Sequence, residues 1–282
     1  MTVNQPLARD GVAIVTGAAG GLGLGIARAA ASDGLAVVIS DVDTLRLEAA
    51  ADQLSAEGAL VRTRPADVTD AASMRALVHF ATSELGRVDL VCLNAGITEV
   101  STPFGDITEE VWDRVMSVNF FGVLHGINAV LPVMQQQGFG HINATASVNG
   151  LMADAGVAAY TSSKFAVVGL MEALMLDLAR DGSAVAASVI CPGPIATDII
   201  KHAVGDDRGT SDDEHALLSR GMDPDQAGKI AFEGIRDGRF WIFTHPVMVD
   251  LTLRERFESM VADGSRPAAL EWPWAEILDQ EA

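Results

Sequence analysis

Along the 282 residues, short runs of consecutive apolar positions alternate with longer stretches in which apolar residues recur every three to four places. The short runs are bounded by Gly, Asp and Ser and are too brief for buried helices, so they read as strands covered on both faces. The longer stretches have the period of amphipathic helices. Predicted strands cover 12–16, 35–40, 60–64, 88–93, 140–146, 185–191 and 240–244. Predicted helices cover 22–33, 44–57, 70–85, 109–136, 159–179 and 224–237. A strand, helix, strand rhythm needs crossover connections, and seven strands with helices on both faces make a doubly wound parallel α/β sheet. No repeat, low-complexity tract or long Pro/Ser linker divides the chain, so 1–282 is expected to form a single domain.

Two stretches break the rhythm. Residues 197–223 are polar and acidic, with the run GDDRGTSDDE, and so long a connection inside a compact domain is expected to be functional, here a substrate lid. Within 245–282, THPVMVDLTLRERFESMV reads as a short amphipathic helix and EWPWAEILDQEA as a tail that packs on the domain or a neighbouring subunit.

Composition narrows the function. A hydrophobic share of 49% excludes a disordered or fibrous chain. Thirty-eight Asp and Glu against nineteen Lys and Arg give a formal net charge of −19, whose field repels polyanions. Nucleic acid and anionic membranes are therefore poor partners, and a small molecule is the expected one. Cys92 and Cys191 sit in separate apolar runs without CxxC or His-rich spacing, which argues against a disulfide framework and a metal site and for a reducing compartment. MTVNQPLARDG at the start lacks the apolar core of a targeting segment, and no apolar run approaches the roughly 18 residues of a span, so a cytoplasmic location is expected.

Candidate chemistry begins after the first strand, at Thr16-Gly17-Ala18-Ala19-Gly20-Gly21-Leu22-Gly23. Glycines suit a tight turn whose backbone approaches a pyrophosphate, and a helix N-terminus offers free N–H groups to phosphate. Any tight strand-to-helix connection can carry such glycines. Asp41 adds the second half of the pattern: it closes the second strand, where a carboxylate accepts hydrogen bonds from ribose hydroxyls and repels a 2′-phosphate. NAD(H), not NADP(H), is the expected cofactor; Arg46 on the next helix could swing toward the site, but an exposed helical arginine is the commoner case.

Tyr160 and Lys164 stand four residues apart on a predicted helix and share one face. An ammonium beside a phenol favours the phenolate and lowers a pKa of about 10 toward the range of a useful general base. Ser147, at the end of a strand, can bind a substrate oxygen and its developing charge. Each has an ordinary alternative, a helix-surface pair for the first two and a turn or cap for the serine; the conjunction carries the weight.

Together these pieces resemble the short-chain dehydrogenase/reductase family over nearly the whole chain, from the first strand to about Thr244. The matching segments are TGAAGGLG at 16–23, Asp41, Asp67-Val68, Asn94-Ala95-Gly96, Asn119 in SVNFFG, Ser147, Tyr160-x-x-x-Lys164 and Pro192-Gly193-Pro194-Ile195-Ala196-Thr197. The resemblance implies a Rossmann-type fold and an NAD-dependent oxidoreductase acting on CH–OH groups. It makes Tyr160 the general acid/base and Ser147 the residue that orients the substrate oxygen. Lys164 would lower the tyrosine pKa and bind the nicotinamide ribose, and Asn119 would support a water-linked proton relay to it. Gly17, Gly21, Leu22, Gly23, Asn94, Ala95, Gly96, Pro192 and Gly193 fall to the cofactor, as does Asp41. Asp67 and Val68 lie beside the adenine ring, and Ile195 and Thr197 hold the carboxamide. Substrate contacts are expected from Ser147, Asn149 and Tyr160. Helices 109–136 and 159–179 resemble those of a four-helix interface, implying a homodimer or homotetramer.

The chain departs from the family pattern at Ala144, where Asn143 stands one place early, and at Leu93. Leu151, Met152, Ile199 and Ile200 favour an apolar or aromatic substrate body over a sugar, though each could equally be packing, since Met or Ile on a loop is more often core than pocket. His125, His202, His215 and His245 have no partner at recognisable spacing and read as surface or packing residues. Competing readings are a non-catalytic NAD(H)-binding regulatory protein, and a steroid or 3-oxoacyl reductase within the same family.

Overall fold

A computed structural model describes residues 10–205 and 220–262. Parts of the expected lid (206–219) and tail (263–282), with His215, Trp272 and Trp274, lie outside the described residues. The strands are β1 (Val12–Thr16), β2 (Ala36–Ser40), β3 (Val61–Thr63), β4 (Leu90–Leu93), β5 (Gly140–Thr145), β6 (Val185–Cys191) and β7 (Trp241–Phe243). They form one sheet in the order β3-β2-β1-β4-β5-β6-β7, every pairing parallel. Both edge strands are only three residues long, which limits the unpaired ladder they present.

The helices are α1 (Gly21–Ser32), α2 (Thr44–Ala56), α3 (Ala71–Leu85), α4 (Glu109–Met116), α5 (Gly122–Gln137), α6 (Ala158–Arg180), α7 (Pro224–Arg236) and α8 (Pro246–Ala262). Short polar side chains start several of them. Asp43, Asp70, Thr108 and Asp223 each accept from N–H groups of the first turn, and Pro224 follows Asp223 where a missing N–H costs nothing.

Strand side chains alternate between two helical layers. Val12 and Ile14 face α3, α5 and α6, packing with Met74, Ile127, Met134 and Met171. Ala13 and Val15 face α1, α2 and α7, packing with Ile26, Leu47, Leu54 and Phe232. Each such side chain, fully buried, contributes about 1.5–3 kcal/mol of transfer free energy.

The predicted helix 109–136 runs as one continuous segment, Glu109–Gln137, but not as a uniform α-helix. Between α4 and α5 the backbone widens into a π-helical turn at Ser117–Phe121, which carries Asn119 fully buried. One extra residue in a turn redirects a side chain without breaking the apolar period, so periodicity could not report it. The combined segment Glu109–Gln137 is the one stretch among the described residues long and apolar enough to cross a membrane, contrary to the sequence expectation. Its apolar face is the core face: Val123, Ile127, Val130 and Met134 are buried under the sheet.

Helices α1 and α7 touch backbone to backbone. A Cβ on Gly228 would come within 2.2 Å of Gly25 C, and one on Gly25 within 2.2 Å of Pro224 O. Neither neighbour is a flexible side-chain end, so the helices would have to part. Gly228→Ala is expected to destabilise the protein by about 1–3 kcal/mol, seen as a lower urea midpoint; an unchanged midpoint would show that the crossing yields freely.

Candidate active site

Strand order reverses between β1 and β4, and there, at the carboxyl ends of the strands, a cavity of about 720 Å³ opens. The glycine turn forms one wall. Gly17 and Gly21 have φ of +65° and +55°, a region that L side chains avoid. A Cβ on Gly17 would lie 2.7 Å from Ala95 Cα, and one on Gly23 only 2.2 Å from Gly17 O. The turn is thus pressed against the Asn94-Ala95-Gly96 turn after β4.

Asn94 fastens that contact. Its Nδ2 donates to Thr16 O at 3.1 Å and Gly17 O at 3.3 Å, while its Oδ1 accepts from the Thr145 hydroxyl at 3.1 Å. Thr16 Oγ1 in turn accepts from the amides of Asn94 (3.0 Å) and Ala95 (3.1 Å). Leu22 and Gly23 continue the wall into α1, whose N-cap, Gly20, brings no side chain to the first N–H groups.

At the far end Asp41 lines the cavity, its Oδ2 accepting from Ala19 N–H at 3.2 Å and its Oδ1 from Asp43 N–H at 3.1 Å. The buried Ser40 hydroxyl beside it has no partner among the described residues. Asp67 accepts from the amide and hydroxyl of Thr69 at 2.9 and 2.7 Å, which holds its carboxyl below the usual range, and Val68 packs next to Gly122. Opposite the glycine turn run Pro192, Gly193, Ile195 and Thr197; Gly193 N–H donates to Thr244 Oγ1 at 3.2 Å, and a Cβ on Gly21 would meet Thr197 Cγ2 at 3.0 Å.

The chemical end lies past β5. Ser147 Oγ accepts from Asn149 N–H at 3.1 Å, starting the 3-10 turn Val148–Gly150 and aiming the hydroxyl into the cavity. Tyr160 and Lys164 meet it from α6. Lys164 Nζ donates to Thr145 O at 2.9 Å and lies 5.4 Å from the centroid of the Tyr160 ring.

These features fit a dinucleotide: an uncapped helix N-terminus, a backbone stripped of Cβ atoms where a pyrophosphate would approach, and a carboxylate with an unpartnered hydroxyl at the ribose end. Residues 11–208 match the family profile described as short chain dehydrogenase. The chain belongs to the short-chain dehydrogenase/reductase family. An uncharacterized oxidoreductase of Bacillus subtilis is 37% identical over 198 residues, 70% of this chain and 76% of that one. The 1-deoxy-11-beta-hydroxypentalenate dehydrogenase of Streptomyces avermitilis is 33% identical over 235 residues, 83% of this chain and 84% of its own. Among solved structures, a short chain dehydrogenase/reductase from Burkholderia phymatum in complex with NAD is 32% identical with a TM-score of 0.84, covering 93% of this chain and 99% of that one. A more distant alcohol dehydrogenase from the archaeon Thermococcus sibiricus is complexed with 5-hydroxy-NADP. Membership makes the protein an oxidoreductase that uses a nicotinamide cofactor on a small molecule.

Several sequence expectations about this short-chain dehydrogenase/reductase site change in detail. Asn119 does not line the cavity: its Oδ1 accepts from Ile97 N–H and its Nδ2 donates to Ile97 O and Ser163 Oγ, each at 2.9 Å. It meets Lys164 only indirectly, both facing the open side of Gly96. Leu151 and Met152 are buried, Leu151 in the core, because the 3-10 turn folds them inward; Asn149, Ile199 and Ile200 do line the cavity. Arg46 is no idle surface residue: it reaches the cavity beside Gly20, bonding His202 at 2.9 Å and Asp198 at 3.3 Å. Glu99, unmarked by any motif, is buried at the substrate end. His245 is a packing residue, buried, bonded to Thr244 Oγ1 at 2.7 Å and lowered to about 4 by burial.

The expected depression of the tyrosine pKa is absent from the protein by itself. Burial pushes the phenol up, hydrogen bonding from Ser147 pulls it back, and Glu99 and Cys191 push it further up. Burial lowers Lys164 to about 8, because a desolvated ammonium is costly. That value lies below the ordinary 10.5, so between them the unfolded chain binds more protons and stability rises with pH. Relative to Lys164→Met, the wild type is expected to gain stability from about pH 8 to about pH 10; a difference constant across urea titrations in that range would contradict the lowered value.

Proposed function

We propose that the protein interconverts a secondary alcohol and its ketone with NAD(H), on a small to medium substrate with an apolar or aromatic body. The observation that carries the reading is the meeting of Ser147, Tyr160 and Lys164 at one end of a cavity whose other end is the glycine turn and Asp41. A nicotinamide cofactor, when bound, supplies the hydride acceptor or donor. Tyr160 takes the hydroxyl proton during oxidation and returns it during reduction. Burial favours the protonated phenol, the form that donates to a ketone oxygen. Ser147 Oγ, preset by the Asn149 amide, holds that oxygen as charge develops on it. Lys164, anchored on Thr145 O, keeps further N–H donors for a ribose hydroxyl. Ile199, Ile200 and Val204 border the substrate end with Ile97 and Val157, which supports an apolar body.

NAD is preferred in this reading because the Asp41 carboxylate occupies the ribose end. Arg46 is the observation that pulls toward a 2′-phosphate, but its guanidinium is shared by Asp198 and His202. A homodimer or homotetramer built on α4, α5 and α6 belongs to the same proposal, supported by the exposure of Phe121 in the π-helical turn between α4 and α5 and of Leu176 on α6. So does a reducing, cytoplasmic setting, supported by the two free, buried thiols.

Tyr160→Phe is expected to lower turnover of secondary alcohols by about a hundredfold or more, while NADH affinity stays within about threefold. Retention of turnover would remove Tyr160 from the chemistry; binding without turnover in the wild type, across a broad alcohol and ketone panel, would favour a regulatory role. Asp41→Asn should improve kcat/KM with NADP relative to NAD by about tenfold or more, and a wild type that already prefers NADP would overturn the cofactor assignment.

A further inference from the structure

We propose that Glu99 is a positioning residue of this active site: its carboxylate caps α6 from a distant turn, fixes where Tyr160 stands, and keeps a negative charge at the start of the tyrosine helix. Helix α6 starts without help from its own N-cap residue, since Val157 has no side-chain acceptor. The orphaned amides are met from the turn after β4 instead. One Glu99 carboxylate oxygen accepts from Ala159 N–H at 2.7 Å and the other from Tyr160 N–H at 2.9 Å. A carboxylate only 3% exposed is costly unless paired. Here two charge-assisted bonds and the positive end of the helix offset that cost.

The backbone of the same turn is tied in another direction. Val204 N–H donates to Thr98 O and Val100 N–H donates to Val204 O, each at 2.9 Å, forming an isolated parallel bridge between Glu99 and Val204. Val204 follows the 3-10 turn Ile199–His202, which borders the substrate end of the cavity. One residue thus joins the β4 turn, the start of the tyrosine helix and the base of the substrate-side segment. An alanine could support neither the cap nor the charge.

Among the described residues, Glu99 from the β4 turn and Cys191 from the end of β6 act on the phenol, Lys164 from α6 lies 5.4 Å from its ring centroid, and Asp154 lines the same cavity; the Ser147 hydroxyl adds a neutral hydrogen bond. Glu99 and Cys191 act against the phenolate, and burial pushes the Glu99 carboxyl itself up while the amides pull it down. The consequence for turnover rests on Tyr160 being the proton-transfer group; the titration below does not.

Tyr160 is the single tyrosine of the chain, so phenolate absorbance in the folded protein reports on it alone. Glu99→Gln keeps the side chain's shape and one oxygen acceptor but removes the charge. Its phenol is expected to titrate about half a pH unit or more below the wild type's. Should the wild-type phenol stay protonated until the chain unfolds, phenolate in the folded variant before that point is the expected result. Identical titration, or identical silence, in the two folded proteins overturns the proposal. Glu99→Asp keeps the charge with a shorter reach, so its phenol should titrate as in the wild type while kcat falls by about tenfold at unchanged KM for NAD. A phenol in Glu99→Asp that titrates as low as in Glu99→Gln also overturns it. Tyr160→Phe must abolish the absorbance change, and if that variant keeps full turnover, the catalytic reading fails while the titration still judges Glu99.

Discussion

The Asn94 carboxamide is the contact on which the site depends. At the cavity mouth β1, β4 and β5 end side by side, and parallel pairing alone does not fix how their trailing turns meet. Asn94 does so by donating to the β1 turn and accepting from Thr145 on β5. The glycine turn can then sit against Ala95 at a distance that leaves no room for a Cβ. Thr145, held by the same carboxamide, offers its carbonyl to Lys164. Cofactor wall and chemical end are therefore set by one polar cluster, and apolar packing of the two layers supplies the rigidity behind it.

Electrostatically the site is a compromise between burial and charge. The phenol and the ammonium are both desolvated, so each is pushed toward its neutral form. Glu99 completes the helix cap but places its charge on the side that resists phenolate. The protein by itself thus holds a proton donor at Tyr160, and a substrate oxygen bound at Ser147 would meet it in that form. The acidic chain as a whole adds a repulsive long-range field for anions, which makes local N–H groups of α1 and the β1 turn the attractive features for phosphate.

Much of this was legible from residue order. Strand runs and helix periods are local signals, and the elements they specify fall close to their expected ends. Asp41, the glycine turn, Ser147, Tyr160 and Lys164 were legible because strand ends and helix faces put them at one rim of a parallel sheet. The features that escaped depend on contacts between distant segments. Arg46 meets Asp198 and His202 only because the turn after Thr197 lands over α2. Glu99 caps a helix sixty residues downstream. The π-helical turn that buries Asn119 leaves the apolar pattern of its helix intact, and the inward turn of Leu151 and Met152 follows from a hydroxyl cap on a short 3-10 segment. Apolar character alone could not distinguish a pocket wall from a core filler there.

The glycine contact between α1 and α7 has a bearing on how the chain folds. Helix α1 lines the cavity with its first turn, yet its other side is completed by residues about two hundred positions later in the sequence. A nascent chain that has made β1, α1 and β2 lacks that backing until residues 224–236 emerge. Long-range closure of this sort is slow relative to local helix formation. The backing of the cavity's glycine wall thus depends on the chain's last quarter as well as on its first.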